Sequence, residues 1–279
     1  MQSQGSSACC LTIAGSDSGG NAGVQADLRA FHAYGLHGCT VFAALTAQNP
    51  FGVSAIHPVP ADFVAAQLDA VLGVYDIRAL KTGMLADAAI IETVADRLMG
   101  HPEIAKVVDP VMVATSGARL ISEEAVETLR RRLLPQATLM TPNLPEAEAL
   151  CGHAIEPNRQ RAGDADHAKE LARELHGRYG CAVLVKGGHG ANASAVDILY
   201  DGADFHAFSM PWIREPVSTH GTGCTLAAAL AAELALGRDV VSAVEGAKRH
   251  VHDAIAASHW VGKDCGVLGF VKSPSVGAD

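Results

Sequence analysis

Short apolar runs alternate with longer amphipathic ones along nearly the whole chain, and this alternation limits the possible folds more than any other feature. CCLTIA (9–14), IRALKTG (77–83), AKVVDPVM (105–112), ATLMTPN (137–143) and CAVLVKGG (181–188) are short and largely apolar, as strands buried between two layers are. Helical patterns separate them at 24–35, ended by Gly35, then at 60–75, 87–99, 122–134, 145–151 and 167–179. Such alternation implies a mainly parallel sheet covered by helices on both faces.

Other segments extend this plan. GCTVFAALTAQN (38–49) reads as a further strand and VSAIHPV (53–59) as a short extended piece. In VDILYDGADFHAF (196–208), Asp201-Gly202 is expected to join two extended runs as a two-residue hairpin at the sheet edge. A glycine-containing turn, STHGTGC (218–224), leads into a long helix, and a second helix runs from about 239 to 257. The stretch 155–166 is polar and turn-rich, and the tail after 258 carries no clear pattern. No repeat or linker interrupts the chain, so one domain is expected over 1–279, with its core at about 10–257 and short flexible ends.

Charge and cysteine content exclude several functions. The formal net charge is −9, and the longest basic run is Arg130-Arg131-Arg132, so no concentrated positive surface exists for nucleic acid. Seven scattered cysteines form no Cys-x-x-Cys pair, which points to a reduced, cytosolic protein without structural zinc. The most apolar long stretch, Leu226–Leu236, contains Glu233 and is too short to cross a bilayer. No membrane association is expected.

In open parallel sheets, ligands lie off the carboxyl ends of the strands. The chemistry-bearing residues follow strands here: Gly15–Gly23, Gln48, Lys81–Met84, Asp109, Asn143, Lys186 and Gly221–Cys224. Asp17-Ser18-Gly19-Gly20 has the letters of a serine-protease motif, but no histidine and aspartate precede it and the chain is not all-β. It also lacks both the dinucleotide and the Walker spacing. What remains is a strand-to-helix turn whose glycines let a ligand approach the backbone, or a tight turn without one.

Thr219-His220-Gly221-Thr222-Gly223-Cys224 opens a nearly uncharged helix, so unpaired N–H groups and the positive helix end make an anion site. The same field is expected to lower the pKa of Cys224; as an alternative, Cys224 is a small packing residue. Asp109, Asn143 and Glu146 cluster at neighbouring strand ends, where oxygen ligands suit Mg²⁺ with substrate phosphates, although helix capping alone would explain Glu146. Lys186 leaves a buried strand as either a phosphate partner or a side chain reaching back to the rim, and the two glycines beside it favour the phosphate partner.

Taken in order, AGSDSGGNAGVQAD, TAQN, KTGML, DPVM, TPNLPEAEAL, VKGGH and THGTGC resemble the hydroxymethylpyrimidine/phosphomethylpyrimidine kinases of the ribokinase-like superfamily, over about residues 10 to 255. The resemblance implies a three-layer α/β/α fold, a homodimer, and transfer of the ATP γ-phosphate to an aminopyrimidine alcohol and then to its monophosphate. It implies that Gln48, Asp27, Gly15, Ala22, Met84 and Val111 bind the pyrimidine. Lys186, Asn143, Thr219 and Gly223 would meet ATP, and Asp109 and Glu146 would position Mg²⁺. Gly221, Thr222 and Gly223 would form an anion hole beside Cys224, the general base. Asn21 stands where that family commonly has glycine, which suggests left-handed backbone there or an altered pocket mouth. Competing readings are a pyridoxal/pyridoxine kinase of the same superfamily and a non-catalytic pyrimidine- or nucleotide-binding regulator.

Overall fold

Strand side chains alternate between two faces, and here both faces are apolar, so the sheet can be stable only as a middle layer. The computed structural model describes residues 8–112, 121–152, 165–187 and 194–269. In chain order it contains β1 (Cys9–Asp17), α1 (Gly23–Ala33), β2 (His37–Asn49), β3 (Gly52–Pro58), α2 (Ala61–Leu72), β4 (Ile77–Thr82), α3 (Ala88–Leu98) and β5 (Ala105–Val108). Then follow α4 (Glu123–Thr128), β6 (Leu139–Met140), α5 (Leu144–Cys151), α6 (Ala165–Tyr179), β7 (Ala182–Val185), β8 (Ser194–Tyr200), β9 (Phe205–Pro211), α7 (Thr222–Ala235) and α8 (Val240–Ala256).

Nine strands form one sheet in the order β3-β2-β1-β4-β5-β6-β7-β8-β9. The pairs from β2 to β7 are parallel, while β3 at one edge and β8 and β9 at the other are antiparallel. On one face Leu11, Ile13, Leu80, Val108, Met140 and Val183 pack with residues of α2 to α6. On the other, Cys10, Ala79, Val107, Leu139 and Leu184 meet α1, α7 and α8. The small residues Cys10 and Ala79 admit α7, which is fully buried from Ala227 to Ala232. An alanine-faced helix can lie close to the sheet, and this proximity brings its N-terminus to the strand ends. Among the described residues no helix is long and apolar enough to cross a membrane.

Several elements differ from the sequence expectation. The β8–β9 loop has four residues, 201–204, because Tyr200 pairs with Phe205. The Asp201 carboxylate accepts the N–H groups of Ala203 and Asp204, both at 2.8 Å, which holds the wider turn. The pair does close the sheet edge. β5 and β6 are shorter than 105–112 and 137–143, since Pro110 and Pro142 bring no N–H to a ladder. The helix expected over 122–134 holds its regular pitch only to Thr128, then widens into a π turn and ends in a 3₁₀ turn at Gln136. Residues 259–267 form a separate small hairpin of β10 (His259–Val261) and β11 (Cys265–Val267). Most of the turn-rich stretch (155–164), Gly188, and the expected flexible ends at 1–7 and 270–279 lie outside the described residues.

Candidate active site

A cavity of about 1190 Å³ lies off the carboxyl ends of the parallel strands. Two glycine motifs some 200 residues apart build one of its walls. The Asp17 carboxylate gathers the first of them, accepting from Gly19 N–H (2.8 Å), Asn21 N–H (2.9 Å) and Ala22 N–H (2.8 Å). Burial alone would raise the Asp17 carboxyl, but His220 and these backbone donors outweigh it and hold it below its ordinary value. Gly20 and Gly23 take the left-handed conformation and Asn21 does not, so of its two alternatives the left-handed backbone is corrected. Gly221, at φ +90°, packs so tightly on this loop that a Cβ there would lie 1.9 Å from the Asn21 carbonyl oxygen.

Ser18 ties the loop to β2. Its hydroxyl donates to the Gln48 carbonyl oxygen and accepts from the Gln48 N–H, both at 2.8 Å. This explains the protease-like letters without a nucleophile. The same tether holds Gln48 on the cavity wall, near Gly15, Ala22, Met84 and Val111. A Cβ on Gly15 would lie 2.7 Å from Met84 Cε, so a side chain there would displace the flexible end of Met84.

The second motif is also the N-terminus of α7. Gly221 is its N-cap and offers no side chain to the first N–H groups; Thr222 N–H donates to the Thr219 carbonyl oxygen at 3.4 Å, and Gly223 and Cys224 follow it on the cavity wall. Lys186 approaches this end: its Nζ would be 3.8 Å from a Cβ on Gly223 and lies 2.9 Å from Asp109 Oδ1. Burial would favour loss of the Lys186 proton, but Asp109 and Glu146 hold the ammonium above its ordinary pKa. Thr141 Oγ1 also donates to Asp109 Oδ1, at 3.1 Å.

Asn143 and Glu146 form a reciprocal capping box at the start of α5, with both bonds at 2.8 Å. Both still line the cavity. Burial raises the Glu146 carboxyl to about 7, with Lys186 opposing and Asp109 reinforcing the rise. A divalent cation between Asp109 and Glu146 would relieve that excess of buried negative charge. Among the described residues no three acidic, histidine or cysteine side chains converge as a metal cage. The two carboxylates therefore fit Mg²⁺, which keeps waters and substrate oxygens in its shell, better than a metal held entirely by protein.

Two expectations about side chains are corrected. Cys224 has its pKa raised and not lowered, because burial together with Asp27 and Asp109 outweighs Lys81 and the Gly23 N–H. Asp27 does not reach the cavity. It is fully buried, with both oxygens on Lys81 Nζ (3.0 and 2.9 Å) and one accepting from Thr12 Oγ1 at 2.6 Å. Lys81 and Asp17 are site residues to which the sequence reading assigned no role. A signal existed for the ion pair: Asp27 interrupts the apolar stripe of α1 formed by Val24, Ala30 and Phe31, and Lys81 interrupts an apolar strand.

Comparison with known proteins gives the family of the chain. The profile of a family described as phosphomethylpyrimidine kinase matches residues 17–269. The chain is 46% identical over 251 residues to the hydroxymethylpyrimidine/phosphomethylpyrimidine kinase of Rhizobium meliloti, covering 90% of this chain and 91% of that protein. It is 47% identical over 261 residues to the thiamine biosynthesis bifunctional protein ThiED of Geobacter sulfurreducens; this covers 94% of the chain but only 52% of that longer protein. The ADP complex of Bacillus subtilis pyridoxal kinase shares the ribokinase-like fold with a TM-score of 0.86 at 35% identity, over 95% of this chain and 98% of that one. The extent of the profile match and the identity to full-length relatives place the chain in the phosphomethylpyrimidine kinase family.

Proposed function

We propose that the chain transfers the γ-phosphoryl group of ATP to the hydroxymethyl group of 4-amino-5-hydroxymethyl-2-methylpyrimidine, and then to the resulting monophosphate, in thiamine biosynthesis. The observation that carries this reading is that Gln48 and the N-terminus of α7 line one cavity, which the Lys186–Asp109 pair also lines. The relatives' names support the acceptor.

In this reading the Gln48 carboxamide offers one donor and one acceptor to the aminopyrimidine edge, and Met84 and Val111 cover the ring. Gly15 and Ala22 leave space for its close approach. The acceptor oxygen forms the new bond to the γ-phosphorus, and the bond to the β,γ-bridging oxygen breaks with its electron pair remaining on ADP. In the first transfer the hydroxyl's proton passes to Cys224 Sγ in its thiolate form, formed once the thiol has given its own proton to solvent; the second acceptor is a phosphate oxygen that is already anionic. The Gly223 and Cys224 N–H groups at the start of α7 and the Lys186 ammonium stabilise the charge on the transferring oxygens. Phosphoryl transfer has a loose transition state and does not need a strong base at every moment, so the small thiolate fraction of a thiol above its ordinary pKa serves the step. Asp109 and Glu146 would hold Mg²⁺, directly or through water, which supplies charge neutralisation at the phosphates. Asn143 and Thr219 stand on the nucleotide side of the same cavity. Asp27 acts through Lys81 and not by touching the pyrimidine.

A homodimer fits the exposed apolar side chains Leu45, Phe51, Ile56 and Phe63 along the β2–β3 edge and α2, and light scattering of the eluted protein tests it. The seven cysteines are all free, in keeping with a cytosolic protein. The resemblance to a pyridoxal kinase favours one second reading, a pyridoxine-type acceptor. A coupled ADP-release assay with each alcohol separates them. The aminopyrimidine should have the higher kcat/KM; a preference for pyridoxal would overturn the acceptor and leave the kinase reading standing.

A further inference from the structure

Lys186 and Gly187, consecutive at the end of β7, are held from two sides. Lys186 N–H donates to the Pro142 carbonyl oxygen at 2.9 Å, and its Nζ reaches Asp109. Gly187 N–H donates to Asp197 Oδ1 at 2.8 Å, while the other oxygen of the same carboxylate accepts from Lys248 Nζ. Asp197 stands on β8, whose pairing with β7 sets Ile198 opposite Val185, and Lys248 stands on α8. One carboxylate thus joins three elements. The turn has no slack, since a Cβ on Gly187 would lie 2.0 Å from the Val196 carbonyl oxygen.

A buried ion pair is a weak device for stability, because apolar residues of similar volume often serve as well. Asp197 and Lys248 are both buried, and both also line the cavity, on the wall that includes Met210, Trp212, Val251 and Ile255. Each of the two aspartates, Asp109 and Asp197, engages a lysine of this cavity, and the two pairs flank the Lys186–Gly187 turn.

We infer that Asp197 is a positioning residue for phosphoryl transfer: it fixes the Gly187 N–H and the Lys248 ammonium, and through them the direction in which Lys186 meets the nucleotide phosphates. The inference rests on the kinase reading. Asp197→Ala removes both contacts, Asp197→Asn keeps an oxygen for the Gly187 N–H but loses the charge, and Lys248→Met keeps the Gly187 bond but loses the cation.

The test measures kcat, KM for ATP and KM for the pyrimidine, together with equilibrium binding of N-methylanthraniloyl-ATP, which needs no turnover. For Asp197→Ala, kcat should fall by roughly 10²-fold, the size of effect that a displacement of about 1 Å produces. Its nucleotide affinity should weaken while KM for the pyrimidine stays at the parental value. Asp197→Asn should recover part of kcat, and Lys248→Met should weaken nucleotide binding more than it lowers kcat. If Asp197→Ala does not fold, the uncharged, near-isosteric pair Asp197→Asn with Lys248→Met carries the same comparison. Parental kcat and parental nucleotide affinity in a folded variant lacking the pair would overturn the proposal, as would an equal rise in both KM values. A parent that binds the nucleotide but phosphorylates no pyrimidine would instead defeat the kinase reading, and the binding comparison would still judge Asp197.

Discussion

Lys81 and Asp27 form an ion pair with no solvent exposure at either side chain, Nζ lying 2.9 and 3.0 Å from the two carboxylate oxygens. The pair links β4 to α1, and Thr12 adds β1. Burial alone would favour a neutral lysine, but Asp27 reverses this and holds the ammonium above its ordinary pKa. Because Lys81 borders the cavity and faces Cys224, this charge forms part of the floor on which the site rests.

Removing one partner leaves an uncompensated buried charge. Lys81→Met is expected to lower unfolding free energy by about 3–5 kcal/mol, read from guanidinium denaturation at neutral pH. Adding Asp27→Leu should restore most of that loss. A change below about 1 kcal/mol in the single variant would show that the pair contributes little.

Cys224→Ala should slow turnover by something like 10²–10⁴-fold, the range of general acid–base groups, with little change in pyrimidine affinity. Burial keeps the thiol above its ordinary pKa, so the parent's rate should keep rising into the alkaline range. The variant should lose that rise. Steady-state kinetics across pH measure both effects, and an alanine variant with the parental rate would reduce Cys224 to a packing residue.

Glu146 supplies a pH dependence of stability. Its carboxyl is raised from an ordinary 4.5 to about 7 by burial, so the folded state binds a proton that the unfolded state has lost. Stability from this group is therefore greatest below about pH 4.5 and falls as pH rises toward 7, by about 1.4 kcal/mol for each unit of displacement. Calorimetric Tm values between pH 5 and 8 should show that fall, and Glu146→Gln, which keeps an acceptor for the Asn143 N–H, should flatten it. Mg²⁺ with nucleotide should raise the parent's Tm more at pH 8 than at pH 5.5, because the ionised carboxylate is the form that holds the cation.

Gly221→Ala combines a left-handed backbone at φ +90° with a Cβ 1.9 Å from the Asn21 carbonyl oxygen. The first effect costs about 1–2 kcal/mol. The second requires the two glycine motifs to separate, which costs about 1–3 kcal/mol more. A thermal shift assay should register the destabilisation, and kcat should fall by at least roughly 10²-fold because the anion-binding amides move from their positions. Gly237→Ala, which has positive φ but no neighbour within 4 Å of the added Cβ, should show only the backbone cost and keep its activity.

Periodicity and punctuation made the layered sheet legible, because a parallel strand covered on both faces must be apolar throughout and its crossover helix must be amphipathic. The same logic placed Gly15, Gln48, Asp109, Asn143, Lys186 and Gly221–Cys224 at strand or helix ends, and the structure brings them to one cavity. What only the tertiary structure decided was the partner of each charged group. Asp27 turned away from the cavity because Lys81, 54 residues later, meets it inside. Cys224 lies above its ordinary pKa because burial and two aspartates outweigh Lys81 and the Gly23 N–H. Asp197 faces Gly187 and Lys248 only once β7, β8 and α8 have packed. Local pattern determines which elements form and where their ends fall, whereas desolvation and long-range pairing exist only after packing and therefore set the electrostatics of the site.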